Sequence, residues 1–345
     1  MKAARLHRYG SPLVVEEVPT PEIGDGEVLV KVEGAGFCHS DIHVIDGELP
    51  VLPRLPLTLG HENAGVVARV GRGVQTVKEG DPVVVYGGWG CGSCRYCVTG
   101  NEQLCIRPRW VGLSEYDGGY AEYLRVPHER YLVKLERLSP REAAPLADAA
   151  LTPYRAIKRA LPHLTPDGWA LVIGVGGLGQ FGVKLLRALS GARIVAVDID
   201  DAKLELARGY GADQTFNSRR QPDVAQLILD LTGGVGVQAA FDFVGAGPTL
   251  ELAISTTAAG GKVTQVGLAG GAASIQVLKN SRFEVTFEAT LWGNIQELRE
   301  VVALAESGRL TPIPLEFYPL DQINEVYRRL KEGKVAGRAV IVPSA

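Results

Sequence analysis

Methionine occurs once in the 345 residues, as Met1, and no stretch approaches about 18 consecutive apolar residues. A membrane-spanning helix is therefore not expected, and the opening MKAARLHRYGSPLVVEEVP has no apolar run of signal-peptide length. These absences point to a cytoplasmic protein. Charge of one sign is also lacking: Lys and Arg total 36, Asp and Glu 39, and the net charge is -3. Such a balance gives no general electrostatic footprint for nucleic acid or for an anionic membrane. A small neutral or anionic ligand fits it better. Hydrophobic residues at 46% and charged residues at 22% are ordinary for a globular chain long enough for two domains.

Cysteine is scarce as well, at five, and its distribution is uneven. Cys91, Cys94, Cys97 and Cys105 fall within fifteen positions as C-x2-C-x2-C-x7-C, whereas Cys38 stands alone in GFCHSDIH, 23 residues before His61. Crowding of this kind suits metal ligation in a reducing compartment better than a disulfide framework. Four thiolates close a tetrahedral zinc site, which is structural, while three protein ligands leave a position open for chemistry. The sequence thus predicts one structural and one catalytic Zn2+.

Up to about residue 150, short Val- and Gly-rich runs alternate with turn residues: VLVKVEGAG, ENAGVVARVG, DPVVVYGG, AEYLRVP and RYLVKL. This rhythm predicts an irregular, mostly β domain over residues 1–150. Farther on the pattern becomes strand, glycine turn, helix, as in WALVIG, QFGVKLLRALS, ARIVAVD and DAKLELARGYG. Alternation of this kind predicts parallel βαβ units and a doubly wound α/β sheet over residues 151–288. Residues 289–345 break the alternation with two amphipathic helices and a final strand, GRAVIVP, and are expected to return to the β domain. In the first of those helices Leu298, Val301, Val302 and Leu304 form the apolar stripe.

Between the strand Leu171-Val172-Ile173 and the next helix lies Gly174-Val175-Gly176-Gly177-Leu178-Gly179, a G-x-G-x-x-G, and Asp198 ends the following strand. Glycine at 174 permits the tight turn, at 176 the close approach of a pyrophosphate, and at 179 helix–sheet packing. An acid at position 198 accepts both ribose hydroxyls of NAD and repels the 2′-phosphate of NADP; Ile199, Asp200 and Asp201 supply no arginine to hold that phosphate. NAD is the expected cofactor. Lys203 is either a contact to the adenosine ribose or an exposed helix lysine.

Cys38-His39-Ser40-Asp41, Gly60-His61-Glu62, the four-cysteine loop and the glycine turn, in this order over essentially the whole chain, resemble the zinc-dependent medium-chain alcohol dehydrogenases. The segment ALTPYRA after Asp148, together with Trp292, is most similar to the NAD-using secondary-alcohol dehydrogenases of bacteria and archaea. The resemblance implies a GroES-like catalytic domain, a Rossmann domain inserted before its last segment, and a homodimer or homotetramer acting on a small alcohol or ketone. It also implies a third ligand to the catalytic zinc within AAPLADAALTPYRA, where relatives carry cysteine; Asp148 is the metal-binding side chain there, giving Cys38, His61 and Asp148. Glu62 either approaches that metal or is paired elsewhere in a polar cleft. Asp41 either accepts the ring N–H of His61 or caps a helix.

By the same resemblance Ser40 and His43 relay the hydroxyl proton through the nicotinamide ribose to solvent. His39 then lies near the pyrophosphate, Thr152 touches the nicotinamide, and Val266, Gly267 and Leu268 line its other side. Arg338 either reaches the pyrophosphate or is a surface arginine. Trp89, Trp110, Leu291 and Trp292 form an apolar slot or pack in the core. Other readings are a polyol, amino-alcohol or formaldehyde-type zinc dehydrogenase, or an NAD-binding protein stabilised by zinc that catalyses nothing.

Overall fold

The computed structural model describes residues 1–49, 52–274 and 284–344. It comprises two compact units, one made of Met1–Leu151 with Trp292–Ala345 and the other of Thr152–Leu291. Among the described residues no helix is long and apolar enough to cross a membrane.

The first unit is built on the strand Val28–Phe37, ten residues and almost wholly buried. One edge of this strand pairs antiparallel with Glu62–Val70 along its length. Its other edge is shared, the start pairing with Tyr123–Val126 and the end with Arg338–Val342. A segment from late in the sequence is thereby inserted into the middle of the sheet, opposite Ala35, Gly36 and Phe37. Pro82–Val85 and Leu132–Lys134 extend the sheet on one side, and Leu315–Pro319 on the other. The helix Ile295–Glu306 buries the stripe Leu298, Val301, Val302 and Leu304, and Asn294 caps it by accepting the Glu297 N–H.

In the second unit six parallel strands lie in the order Gln214–Asn217, Arg193–Asp198, Trp169–Ile173, Val237–Asp242, Thr257–Gln265, Thr286–Ala289. By position in the chain that order is third, second, first, fourth, fifth, sixth, the Rossmann arrangement, in which ligands bind outside the carboxyl ends of the strands where the order reverses. The WALVI run reads as uniformly apolar because Trp169–Ile173 is covered on both faces. QTFN and TFEA also form strands, and VAQLILDL a helix over Val224–Leu231. The two short strands are specified by pairing with their neighbours, not by their own composition.

Lys262 takes a charge to a position only 5% exposed. Its Nζ lies 3.1 Å from Glu288 Oε2, and Arg159 grips the same carboxylate at 2.8 and 2.7 Å. The Arg159 hydrogen bonds, with Lys262 and against some burial, hold the Glu288 carboxyl down at about 2. A carboxyl depressed in the folded state stabilises fully above its ordinary range, and that contribution is lost as pH falls through the folded value. Glu288→Gln is expected to reduce the unfolding free energy by about 1–3 kcal/mol at neutral pH, with the deficit relative to the native chain shrinking toward pH ~2. Urea titrations across that range provide the measurement.

Candidate metal centres and dinucleotide site

The four-cysteine loop folds its sulfurs together. Cys94, at the start of the short helix Arg95–Val98, has its Sγ 3.5 Å from that of Cys97 and 3.8 Å from that of Cys105. With a Zn–S bond of about 2.3 Å, tetrahedral sulfurs stand about 3.8 Å apart, so the spacing fits zinc. Backbone donors converge on one of the sulfurs: the N–H groups of Cys91 and Arg107 approach Cys105 Sγ at 3.2 and 3.3 Å. Backbone N–H donation from Ser93 is the main cause that brings Cys91 down to about 5, whereas burial pushes Cys97 up to about 12.

Cys38, His61, Glu62 and Asp148 make a second cluster, fully buried, with one ligand atom from each within 4.8 Å of the others. Cys38 Sγ lies 3.7 Å from Asp148 Oδ2, and His61 Nε2 lies 3.5 Å from the same oxygen. Tetrahedral edges about zinc with these donors are about 3.4–3.6 Å. Asp41 fills both roles that its sequence position allows. One oxygen accepts the Cys38 N–H at 2.9 Å as the far half of a capping box on the helix His39–Asp46, and the other faces His61 Nδ1 at 3.3 Å. That contact fixes the tautomer whose Nε2 is free to ligate. Burial opposes charging His61, but the Asp41 carboxylate and the contacts with Asp148 and Cys38 outweigh it and raise its pKa well above the usual value. Tyr120, which no sequence signal singles out, donates its hydroxyl to Asp41 at 2.8 Å.

Ser40 Oγ lies 3.7 Å from Cys38 Sγ, and His43, one turn along the same helix, has Nδ1 2.8 Å from Glu48 Oε2. His39 is exposed at the first helical position.

Arg338 is not a surface arginine. It is 3% exposed, and its guanidinium forms two hydrogen bonds with Glu62, Nε to Oε2 at 2.9 Å and Nη2 to Oε1. Nη2 also stands 3.8 Å from Asp148 Oδ2. Burial pushes the Glu62 carboxyl up to about 7 against the pull of Arg338. No local pattern announces this pair, since its members are 276 residues apart. Among the aromatics, Trp292 stands edge-on to the His61 ring at 5.7 Å with its indole N–H donated to Ala147 O at 2.8 Å, and Trp110 meets Trp292 at 6.4 Å. Trp89 is core, 1% exposed and packed against Tyr116 and Tyr131, while Leu291 is 38% exposed.

In the second unit Gly174 has φ +85°, and a Cβ on Gly179 would overlap Gly174 O, so the turn and the packing account for those two glycines. Gly176 is different. It precedes the helix Gly177–Leu189 with ordinary backbone angles, and a Cβ there would meet nothing within 4 Å. Neither strain nor packing requires glycine there, and the open space is compatible with the close approach of a pyrophosphate. No side chain caps this helix, so the N–H groups of Gly177, Leu178 and Gly179 begin it without a side-chain acceptor, as at phosphate sites. Asp198 accepts the Val175 N–H at 2.6 Å and those of Ile199 and Asp200 at 2.7 and 3.0 Å, so it also holds the glycine turn. A carboxylate has about four lone-pair sites, so after these three bonds capacity for about one further donor remains. Lys203 is half-buried on the following helix, Thr152 is buried in Leu151–Ala160, and Val266 and Gly267 direct their N–H groups to Asp242 O beside exposed Leu268.

A family model for the alcohol dehydrogenase GroES-like domain matches residues 24–137, and one for zinc-binding dehydrogenases matches residues 177–307. The chain is 40% identical to an NAD-dependent alcohol dehydrogenase of Sulfurisphaera tokodaii over 99% of its own length and 100% of the other. It is 38% identical to a D-arabinose 1-dehydrogenase (NADP+) of Saccharolobus solfataricus, over 99% and 97%. The crystal structure of an alcohol dehydrogenase from Aeropyrum pernix superposes with a TM-score of 0.94 at 39% identity, covering 99% of this chain and 100% of that one.

Elemental analysis of the purified chain is expected to find one zinc per cluster. Cys94→Ser should lose one ion and lower the Tm, because closed zinc sites contribute folding energy. Cys38→Ser should lose the other ion and all turnover with the Tm nearly kept.

Proposed function

The chain belongs to the zinc-dependent medium-chain alcohol dehydrogenases, and from that premise we propose that it oxidises alcohols reversibly with NAD, secondary alcohols to ketones and primary ones to aldehydes. The supporting observation is the buried set of Cys38, His61 and Asp148 with the Ser40 hydroxyl beside the Cys38 sulfur. A homodimer or homotetramer is the proposed assembly.

Cys38, His61 and Asp148 would hold the catalytic zinc, and Cys91, Cys94, Cys97 and Cys105 the structural one. When bound, the catalytic ion supplies Lewis acidity that lowers the proton affinity of a substrate oxygen, and NAD supplies the hydride acceptor. Asp148 brings a hard oxygen where relatives carry a thiolate, so less electron density is donated and the acidity is greater. Asp41 faces His61 Nδ1 and so turns Nε2 toward the metal position, and Trp292 packs against the ring and excludes water from that side. Ser40 Oγ accepts the hydroxyl proton as it gives up its own, and His43, backed by Glu48, passes a proton on to solvent. In the reverse direction the same groups deliver a proton to the carbonyl oxygen. Asp198 holds the adenosine ribose with Lys203 near it, and the Gly174–Gly179 turn takes the pyrophosphate. Thr152 and Val266, Gly267 and Leu268 bracket the nicotinamide.

The D-arabinose dehydrogenase relative favours a second reading, oxidation of a sugar or polyol. Asp198 counts against its cofactor, NADP, because a carboxylate repels the 2′-phosphate. A steady-state screen of 2-butanol, ethanol, acetophenone and D-arabinose with both cofactors separates the readings.

Asp148→Asn keeps the shape but loses the charge, so zinc affinity and kcat/KM should fall together, each by about 10–100-fold, whereas Asp148→Cys should retain zinc. Full zinc content with normal turnover in Asp148→Asn would move the third ligand to Glu62. Asp198→Gly with Ile199→Arg should move the ratio of kcat/KM values toward NADP, and should also cost about 1 kcal/mol of stability because the Val175 N–H loses its acceptor. A native preference for NADPH would contradict the assignment of Asp198.

A further inference from the structure

Three neighbouring strands bring Glu62, Gly36 and Arg338 into line. Gly36 is paired with Glu62 on one side and with Val340 on the other, two residues beyond Arg338. To reach Arg338 the Glu62 side chain must cross the middle strand at Gly36. There is no room for anything else at that point: a Cβ on Gly36 would overlap Glu62 Oε2 and lie 2.9 Å from its Cδ and 3.0 Å from its Cβ. Backbone conformation does not require the glycine, because Gly36 is not among the positive-φ residues.

We propose that Gly36 is a positioning residue for the metal centre. By leaving its face of the strand empty, it lets the Glu62 carboxylate rest on Arg338, which keeps a fourth protein ligand off the metal and leaves a coordination position for substrate. The Glu62 carboxylate has a partner of opposite charge that binds it through two hydrogen bonds, and its ligand atom already lies within 4.8 Å of those of Cys38, His61 and Asp148. A methyl group at position 36 pushes it off Arg338 and toward those ligands. The inference rests on Cys38, His61 and Asp148 holding the catalytic ion.

The test compares Gly36→Ala in two backgrounds, the native chain and Glu62→Ala/Arg338→Met, with the catalytic ion exchanged for Co2+. In the native background Gly36→Ala should retain a full metal complement, shift and weaken the visible cobalt bands as a further ligand enters, and lose about tenfold or more in kcat/KM. In the second background, where the carboxylate is gone and the guanidinium is replaced by an apolar side chain, adding Gly36→Ala should alter neither spectrum nor rate. An unchanged cobalt spectrum in the native background, or an equal loss in both, overturns the proposal. Should Gly36→Ala fold only in the second background, the conflict with Glu62 is supported; failure to fold in both assigns the glycine to backbone packing and overturns it. A native chain that binds no metal at the Cys38 cluster would instead refute the ligand assignment, so the two failures are distinguishable.

Discussion

The first unit depends on how it manages buried charge. Asp41, His61, Glu62, Asp148 and Arg338 are all less than 9% exposed, and Cys38 is 5% exposed beside them. Desolvating that many ionisable groups costs several kcal/mol each unless they pair or bind a metal. Arg338 offsets part of the charge of three carboxylates, and His61, whose pKa its neighbours raise well above the usual value against burial, offsets more. The pairs are specific: Asp41 with His61 and Tyr120, Glu62 with Arg338. The sheet around Gly36 is the scaffold that this neutralisation requires.

What the sequence disclosed follows from the range over which each feature acts. The cysteine loop is local, fifteen residues whose spacing is itself the ligand geometry. The glycine turn is equally local, since Gly174, Gly176 and Gly179 belong to one strand–helix junction. Cys38, His61 and Asp148 were reachable because a resemblance joined three separated segments. The Glu62–Arg338 pair had no such signal. Its members meet only because Glu62–Val70 and Arg338–Val342 flank the same strand, and nothing in ENAGVV or GRAVIV foretells that. Gly36 read as one glycine among 42, and its meaning lies in a side chain on the next strand. Asp41 posed a choice between two roles that one carboxylate, with two oxygens, performs together.

The two metal clusters divide their work by enclosure and donor type. In the loop, sulfur meets backbone N–H groups, and the chain's own amides tune the thiolates. In the other, oxygen, nitrogen and sulfur come from separate segments, and the His61 ring is oriented by Asp41. Substitutions in the first cluster therefore act through stability, and those in the second through reactivity. Asp198 blurs the same distinction in the second unit, because the carboxylate proposed to hold a ribose also accepts the Val175 N–H and so braces the glycine turn.

The wide separation of Glu62 and Arg338 in the chain also imposes an order of events on synthesis. The ribosome makes the strand bearing Glu62, then all of Thr152–Leu291, and only afterwards the strand bearing Arg338. Domains fold as units while the chain emerges, so the intervening unit can complete its own core first. Its host must wait with a central strand half paired and a buried carboxylate uncompensated. For this protein the nascent interval is the period of greatest exposure, and any chaperone that protects it would act on the discontinuous unit.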